Sequence, residues 1–339
     1  MITHNPKSHE FKITLISGKF FMCDSKTTIF EAAKNDGIIL EHSCLIARCR
    51  SCAVQVKSGT IIDKLDDFTL ASEEKSDNWA LTCNAIPTSD LLLNTEGIAG
   101  FKVFKRKVIP VKVNTIIKIN DSVIKVSLRM PPNSDFGYNS GQYVNITKGN
   151  IKRSYSIANA YQESGRLTFL IKKYDNGEMS NYWFEEAKVN DLLRIEGPIG
   201  SFFLRDSEVE NIIFLATGTG IAPIIAILES MSSSFSKYVN KKIWIFFGAR
   251  MEEDLFWDPS EFSEFLNLKF IPVLSKGSED WNGEKGYVQD IVVKQSILLE
   301  NAQVYACGSN AMIKSAKKLL IENGLNENNF FSDAFLATN

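Results

Sequence analysis

The stretch Cys44-Leu45-Ile46-Ala47-Arg48-Cys49-Arg50-Ser51-Cys52 sets three thiols at the spacing C-x4-C-x2-C, and Leu81-Thr82-Cys83 brings a fourth from further along the chain. Three thiolates from one loop and a distant fourth is the arrangement that wraps a 2Fe-2S cluster. Soft sulfur ligands suit iron-sulfur or zinc, but structural zinc favours two short C-x2-C pairs, and Cys83 has no cysteine or histidine beside it to make a second pair. A disulfide framework belongs to short secreted chains. This chain has 339 residues and opens Met1-Ile2-Thr3-His4-Asn5-Pro6-Lys7, with no apolar signal segment. Cys44, Cys49, Cys52 and Cys83 are therefore expected to ligate metal in a reducing, cytoplasmic setting. Cys23, outside the pattern, is expected to be a small buried hydrophobe.

Length suggests two or three domains. With 44% apolar residues and a net charge of -2, the composition is that of an ordinary globular protein without the basic footprint of a nucleic-acid binder. The most apolar stretch, Ile212 to Leu228, is broken by Thr217-Gly218-Thr219-Gly220 and Pro223, so it does not read as a membrane span. The three histidines, His4, His9 and His42, all precede residue 43. A Rieske centre needs two histidine ligands and a mononuclear non-haem iron oxygenase two with a carboxylate, so the chain is not itself expected to be an oxygenase.

The segment from Cys44 to Cys83, with Gly59 after the strand Ala53-Val54-Gln55-Val56, resembles a plant-type ferredoxin domain. Ala47 and Arg50 stand where that family usually has glycine. A side chain resists positive φ, and a guanidinium beside the cluster favours its more negative, reduced state.

After residue 97 the pattern changes to short strands bounded by turns: Val111 to Ile119, Val123 to Leu128, Gln142 to Ile146, Ser154 to Ile157, Leu167 to Ile171 and Leu192 to Ile195. This spacing predicts an antiparallel barrel. Lys102, Lys105, Arg106 and Lys107 ahead of it read as a solvated linker. Within the barrel stands Arg153-Ser154-Tyr155-Ser156-Ile157-Ala158-Asn159, and later Gly177-Glu178-Met179-Ser180 and Gly197-Pro198-Ile199-Gly200. Here the chain resembles the ferredoxin-NADP reductase superfamily, whose R-x-Y-S motif binds flavin. Alternate strand residues share a face, so Arg153 is expected on pyrophosphate and Tyr155 on isoalloxazine. The resemblance puts the Ser156 hydroxyl at flavin N5. Ser180 is expected at a helix start whose free amides favour phosphate, and FAD is expected over FMN.

From Asn211 strands alternate with helices, which predicts a parallel, doubly covered sheet. Its first strand runs into Thr217-Gly218-Thr219-Gly220-Ile221-Ala222-Pro223. Glycines let the turn approach a pyrophosphate, and Pro223 suits a first helical turn. The third glycine of the usual dinucleotide fingerprint and any Gly-Lys-Ser/Thr are absent; the run resembles the superfamily's G-T-G-I-A-P signature. Gly248-Ala249-Arg250 follows where ribose is expected. Cys307-Gly308-Ser309-Asn310-Ala311-Met312 resembles C-G-x-x-x-M, whose thiol lies against nicotinamide, and Phe335 in Asp333-Ala334-Phe335 stands where relatives cover the flavin. Glu252 and Glu253 disfavour a 2′-phosphate, so NADH is expected over NADPH, although Arg250 and Lys276 are cations that could receive one.

The expected fold is multidomain: an α+β ferredoxin-like (β-grasp) 2Fe-2S domain over 1–97, a linker over 98–107, an antiparallel β-barrel FAD domain over 108–205, and an α/β parallel-sheet NAD(P)-binding domain over 206–339. The resemblance implies an electron-transfer reductase passing electrons from NAD(P)H through FAD and the cluster to a partner enzyme. Phe331-Ser332-Asp333-Ala334-Phe335 and the run Arg153 to Asn159 look most like reductases serving the pyridoxamine-phosphate dehydrase of 3,6-dideoxyhexose biosynthesis; the reductase component of an aromatic-ring or phenol oxygenase is the alternative. A zinc-stapled flavin protein without a partner is the third reading. No nucleic-acid or membrane partner is expected.

Overall fold

The computed structural model describes residues 9–65, 77–98 and 101–335. His4 and positions 99 and 100 of the stretch read as a linker lie outside them. The chain divides into two compact units, Met1–Phe101 and Lys102–Asn339.

In the first unit, strands β1 (Glu10–Leu15) and β2 (Phe20–Asp24) form a hairpin whose inward residues Ile13, Leu15, Phe21 and Cys23 are buried. Helix α1 (Ile29–Asn35) starts at Thr28, whose side chain accepts from Glu31 N while Glu31 reaches back to Thr28 N. Such a reciprocal cap satisfies two otherwise orphaned donors. Its face of Ile29, Phe30, Ala32 and Ala33 packs on the sheet. Strands β3 (Ala53–Ser58), β4 (Ile61–Asp63), β5 (Trp79–Leu81), β6 (Ala85–Pro87) and β7 (Leu91–Leu93) complete it. The sheet order is β2-β1-β7-β3-β5, with β1 and β7 parallel, and β4 pairs with β6. This is the expected β-grasp arrangement.

The second unit begins with six antiparallel strands: β8 (Lys107–Lys118), β9 (Val123–Arg129), β10 (Tyr143–Lys148), β11 (Ile151–Ser156), β12 (Arg166–Lys172) and β13 (Leu192–Ile199). They run in the order β11-β10-β13-β8-β9-β12, and the Ala158 N–H to Thr168 carbonyl bond of 2.8 Å brings the end of β11 back to β12, closing the barrel. Strand β8 starts inside the stretch read as a linker, and two of the cations there are held by the barrel. Arg106 pairs with Glu196 at 2.6 Å and Lys107 with Asp135 at 2.5 Å. Alternation along β8, β9 and β12 turns Val111, Val113, Val126, Leu128, Leu167 and Phe169 into the barrel core.

Strands β14 (Asn211–Thr217), β15 (Lys242–Ala249), β16 (Leu268–Leu274), β17 (Glu284–Lys285), β18 (Ala302–Ser309) and β19 (Phe330–Phe335) then form a wholly parallel sheet in the order β17-β16-β15-β14-β18-β19. After a short helix α2 (Glu178–Asn181) in the barrel region, α3 (Ile221–Ser232), α4 (Val288–Lys294) and α5 (Asn310–Glu322) are the crossover helices. Strand β14, buried on both faces, reads as the continuous apolar run such a strand requires. The strand order reverses at β14 and β18, and ligands of open parallel sheets bind at the carboxyl ends beside that reversal. Among the described residues no helix is long and apolar enough to cross a membrane.

Candidate functional site

The cysteine loop lies between Leu40 and β3, and its thiols fall into two pairs. Cys52 and Cys83 stand 3.3 Å apart, sulfur to sulfur, and Cys49 donates to Cys44. Two pairs suit two irons. Backbone amides aim at the sulfurs. Ile46, Arg48 and Cys49 N–H groups lie 3.5, 3.4 and 3.3 Å from Cys44 Sγ, and Cys44 N–H lies 3.3 Å from Cys49 Sγ. The Cys49 thiol and these amides draw the Cys44 thiol down to about 6, and the Cys52 thiol likewise lowers Cys83. Pairing and burial push Cys49 and Cys52 up.

The loop achieves this with left-handed backbone at Leu45 (φ 56°), Ala47 (φ 57°) and Arg50 (φ 66°). Ala47 and Arg50, expected to resist that conformation, adopt it. Ala47 is buried against Cys52 and Leu81, and the Arg50 carbonyl accepts from Ala53 N–H at 2.9 Å, so surrounding contacts offset a cost of about 1–2 kcal/mol per residue. The fourth thiol is set by α1, since Phe30 N–H bonds the Thr82 carbonyl at 3.0 Å. Cys23 is buried, its thiol pushed up to about 12 by that burial.

In the barrel, β11 pairs with β10 so that Val144 faces Tyr155 and Ile146 faces Arg153. Arg153 and Tyr155 are half-buried on one face, and the Ser154 hydroxyl on the other bonds Asn145 Oδ1 at 2.7 Å. Arg153 bonds only the neighbouring Lys152 carbonyl, at 2.9 Å, and has no carboxylate partner among the described residues. An unpaired guanidinium beside a half-buried phenol fits a phosphate-bearing aromatic ligand. Burial raises the Tyr155 phenol, keeping it protonated. Ser156 is buried at the strand end. Gly177 precedes α2, in which Met179 and Ser180 are buried. The Ser180 hydroxyl is engaged by its own turn, accepting from Tyr174 N–H at 2.7 Å, which leaves the backbone rather than that hydroxyl to meet a phosphate.

At the reversal point, Thr217-Gly218-Thr219-Gly220 leaves β14 and Cys307-Gly308 ends β18. A Cβ at Gly220 would lie 2.2 Å from the Cys307 carbonyl, and one at Gly308 would lie 2.2 Å from Thr217 Oγ1. Glycine is required at Gly220 because the turn meets the Cys307 backbone, and at Gly308 because the Thr217 side chain closes on it and the backbone is left-handed there (φ 150°). Cys307 is wholly buried and its thiol is raised by burial and then by Asp333. Phe335 pairs with Ser309 across the β18–β19 ladder, near the same end. At the end of β15, the Arg250 carbonyl accepts from Lys276 N–H at 2.9 Å, so those two cations are neighbours, while the Glu253 carbonyl bonds Asn120 of the barrel at 3.2 Å. A cavity of about 460 Å³ is lined by Ile119, Trp257 and Phe270.

Sequence reasoning missed two contacts that fix the barrel to the parallel sheet: Glu229 Oε2 accepts from Ala160 N–H at 2.8 Å, and Tyr305 Oη accepts from Arg205 N–H at 2.8 Å. Neither pair is close in sequence, and no motif marks them.

Three family descriptions match in order: a 2Fe-2S iron-sulfur cluster binding domain over residues 14–88, an oxidoreductase FAD-binding domain over 110–204 and an oxidoreductase NAD-binding domain over 214–318. The chain is 35% identical over 322 residues to a CDP-6-deoxy-L-threo-D-glycero-4-hexulose-3-dehydrase reductase of Yersinia pestis, covering 94% of this chain and 96% of the relative. It is 29% identical over 336 residues to the reductase component of a phenol 2-monooxygenase from Pseudomonas sp., covering 94% and 92%. A crystallised ferredoxin reductase of carbazole 1,9a-dioxygenase shares the fold at a TM-score of 0.67 and 22% identity, covering 98% of this chain and 100% of that one.

Proposed function

The chain belongs to the ferredoxin-NADP reductase superfamily, in the branch that carries a 2Fe-2S ferredoxin domain ahead of its flavin and nucleotide domains, and from that premise we propose that it supplies electrons to a pyridoxamine-phosphate-dependent CDP-4-keto-6-deoxyglucose 3-dehydrase. It is an NAD(P)H-dependent electron-transfer oxidoreductase using FAD and a 2Fe-2S cluster. The observation that carries the choice of acceptor is end-to-end likeness to a hexulose-dehydrase reductase at 35%, against 29% for a phenol monooxygenase component. When bound, reduced nicotinamide supplies a hydride, flavin turns that electron pair into single electrons, and the cluster carries one at a time.

The residues divide the remaining work. Cys44 with Cys49 and Cys52 with Cys83 would hold the two irons. Arg153 would take the flavin pyrophosphate and Tyr155 the ring, with Ser154, Gly177, Met179 and Ser180 shaping the surrounding backbone. Thr217, Gly218, Thr219 and Gly220 would admit the nucleotide pyrophosphate, Arg250 its ribose, and Cys307, Gly308 and Phe335 the nicotinamide. Hydride transfer needs no side-chain acid or base, so Ser156 and Cys307 would act by alignment, where small misplacement costs rate. Cys307→Ala is expected to slow anaerobic flavin reduction by NADH at least tenfold with FAD still bound. Unchanged rapid reduction would make Cys307 a packing residue only.

The acceptor is tested by reconstitution with the purified dehydrase. Ile46 is 55% exposed and Arg48 is exposed beside it, on a segment otherwise richer in acidic than basic side chains; Arg50 is partly withdrawn, and desolvation lowers it. Arg48 is therefore the docking cation, facing an acidic rim on the acceptor, where complementary charge speeds encounter. Electron delivery should fall as salt rises, and Arg48→Glu should slow it further while NADH-to-flavin transfer is unchanged. Delivery by the variant at the wild-type rate, at low salt and matched cluster potential, would remove this role; delivery to a phenol hydroxylase but not to the dehydrase would establish the alternative acceptor.

A further inference from the structure

Residues 200–210 are the covalent link between the barrel strand β13 and the sheet strand β14, and links between modules are hinges unless something fixes them. Here one side chain does so. Arg205 donates from Nη1 to the Phe203 carbonyl at 2.8 Å and from Nη2 to the Ser201 carbonyl at 2.5 Å. Its guanidinium carbon lies 3.9 Å from the centre of the Phe203 ring and 5.0 Å from that of Phe331. Its backbone N–H donates to Tyr305 Oη at 2.8 Å, and that hydroxyl donates in turn to Gln303 Oε1 at 3.0 Å. Tyr305 and Phe331 stack with centres 4.9 Å apart and planes at 25°.

Both ends of this assembly lead to the reacting groups. Tyr305 precedes Cys307 by two positions on β18, and Phe331 precedes Phe335 by four on β19, so within each strand the two share a face. On the barrel side, Ser201 follows Gly200, whose carbonyl accepts from Gln142 Nε2 at 2.7 Å; the Gln142 carbonyl accepts from Ile157 N–H at 3.0 Å, one residue after Ser156. A continuous run of bonds and ring contacts therefore joins the strand end carrying Ser156 to the strand ends carrying Cys307 and Phe335.

We propose that Arg205 is a positioning residue for hydride transfer: by pinning the link to β18 and β19 it sets the spacing between the flavin-bearing and nicotinamide-bearing edges. This rests on the reductase reading. Lysine cannot replace it, because a compact ammonium lacks the planar fork that reaches two carbonyls at once beside two rings.

The test uses the full-length holoenzyme. Arg205→Met and Arg205→Lys are each expected to retain stoichiometric FAD and cluster and a KM for NADH within about threefold of wild type, while anaerobic flavin reduction slows tenfold to a hundredfold, the range that displacements near 1 Å produce. Reduction by NADH deuterated at C4 should show an isotope effect more dependent on temperature than in wild type, which a loss of stability alone would not produce. Should Arg205→Met not fold, Phe331→Leu removes one ring and leaves the guanidinium bonds, and is expected to slow reduction in the same sense. Wild-type reduction rates in folded, flavin-loaded Arg205→Lys and Phe331→Leu would overturn the proposal, leaving Arg205 a stabilising strap. If the wild-type protein itself failed to reduce FAD with either nicotinamide, the reductase reading would fall instead.

Discussion

Replacing Cys49 with serine is expected to strip the protein of its iron and its broad visible absorption, while NADH oxidation with a small artificial acceptor continues at the wild-type rate. The two halves of this result have separate causes. Cys49 is buried beside Cys44, each sulfur accepting from the other's backbone N–H at 3.3 Å, so the variant leaves one pair with a single soft ligand, and an alcohol is a poorer match than a thiolate for iron in such a site. The nucleotide and flavin residues belong to the other compact unit, and a small acceptor takes electrons from flavin directly. Iron and acid-labile sulfide analysis with visible spectroscopy measures the first half; a steady-state assay measures the second. Full iron content in Cys49→Ser would show the ligand assignment to be wrong.

Arg153→Ala and Tyr155→Ala are expected to release flavin. A charge-assisted bond to phosphate and the stacking of a phenol ring are each worth on the order of 1–3 kcal/mol, so each variant should bind FAD about fivefold to 150-fold more weakly, and the double variant should be purified largely colourless apart from its cluster. The unpaired state of Arg153 sharpens this expectation: no carboxylate among the described residues is left behind to be destabilised by its removal. Equilibrium dialysis or flavin fluorescence gives the constants. Stoichiometric FAD in both single variants would remove these two residues from the flavin site.

What the sequence made legible follows from how locally each feature is encoded. The cysteine spacing lies within one loop, and the strands of the barrel and the parallel sheet are written in periodicity, so their positions agree with the folded chain to within a few residues; β8 begins earlier than Val111 because residues 107–110 find ladder partners in β13. The glycines of the Thr217–Gly220 turn were legible as a close approach, but not what they approach, since the Cys307 carbonyl lies far along the chain. Arg205 was invisible for the same reason. Its partners Tyr305 and Phe331 come from strands later in the chain, and an isolated arginine after a barrel strand carries no pattern. Arg48 and Arg50 flank Cys49 alike in the sequence, yet burial separates them into one exposed cation and one withdrawn.

The left-handed backbone at Leu45, Ala47 and Arg50 bears on what becomes of the domain when it loses its metal. A free chain does not prefer that shape at three side-chain-bearing positions within six residues, so the loop is held by its surroundings and, once loaded, by its metal. Loss of the cluster is then expected to make this loop the first part of the domain that a protease cuts, which limited proteolysis of iron-free and iron-loaded protein would show.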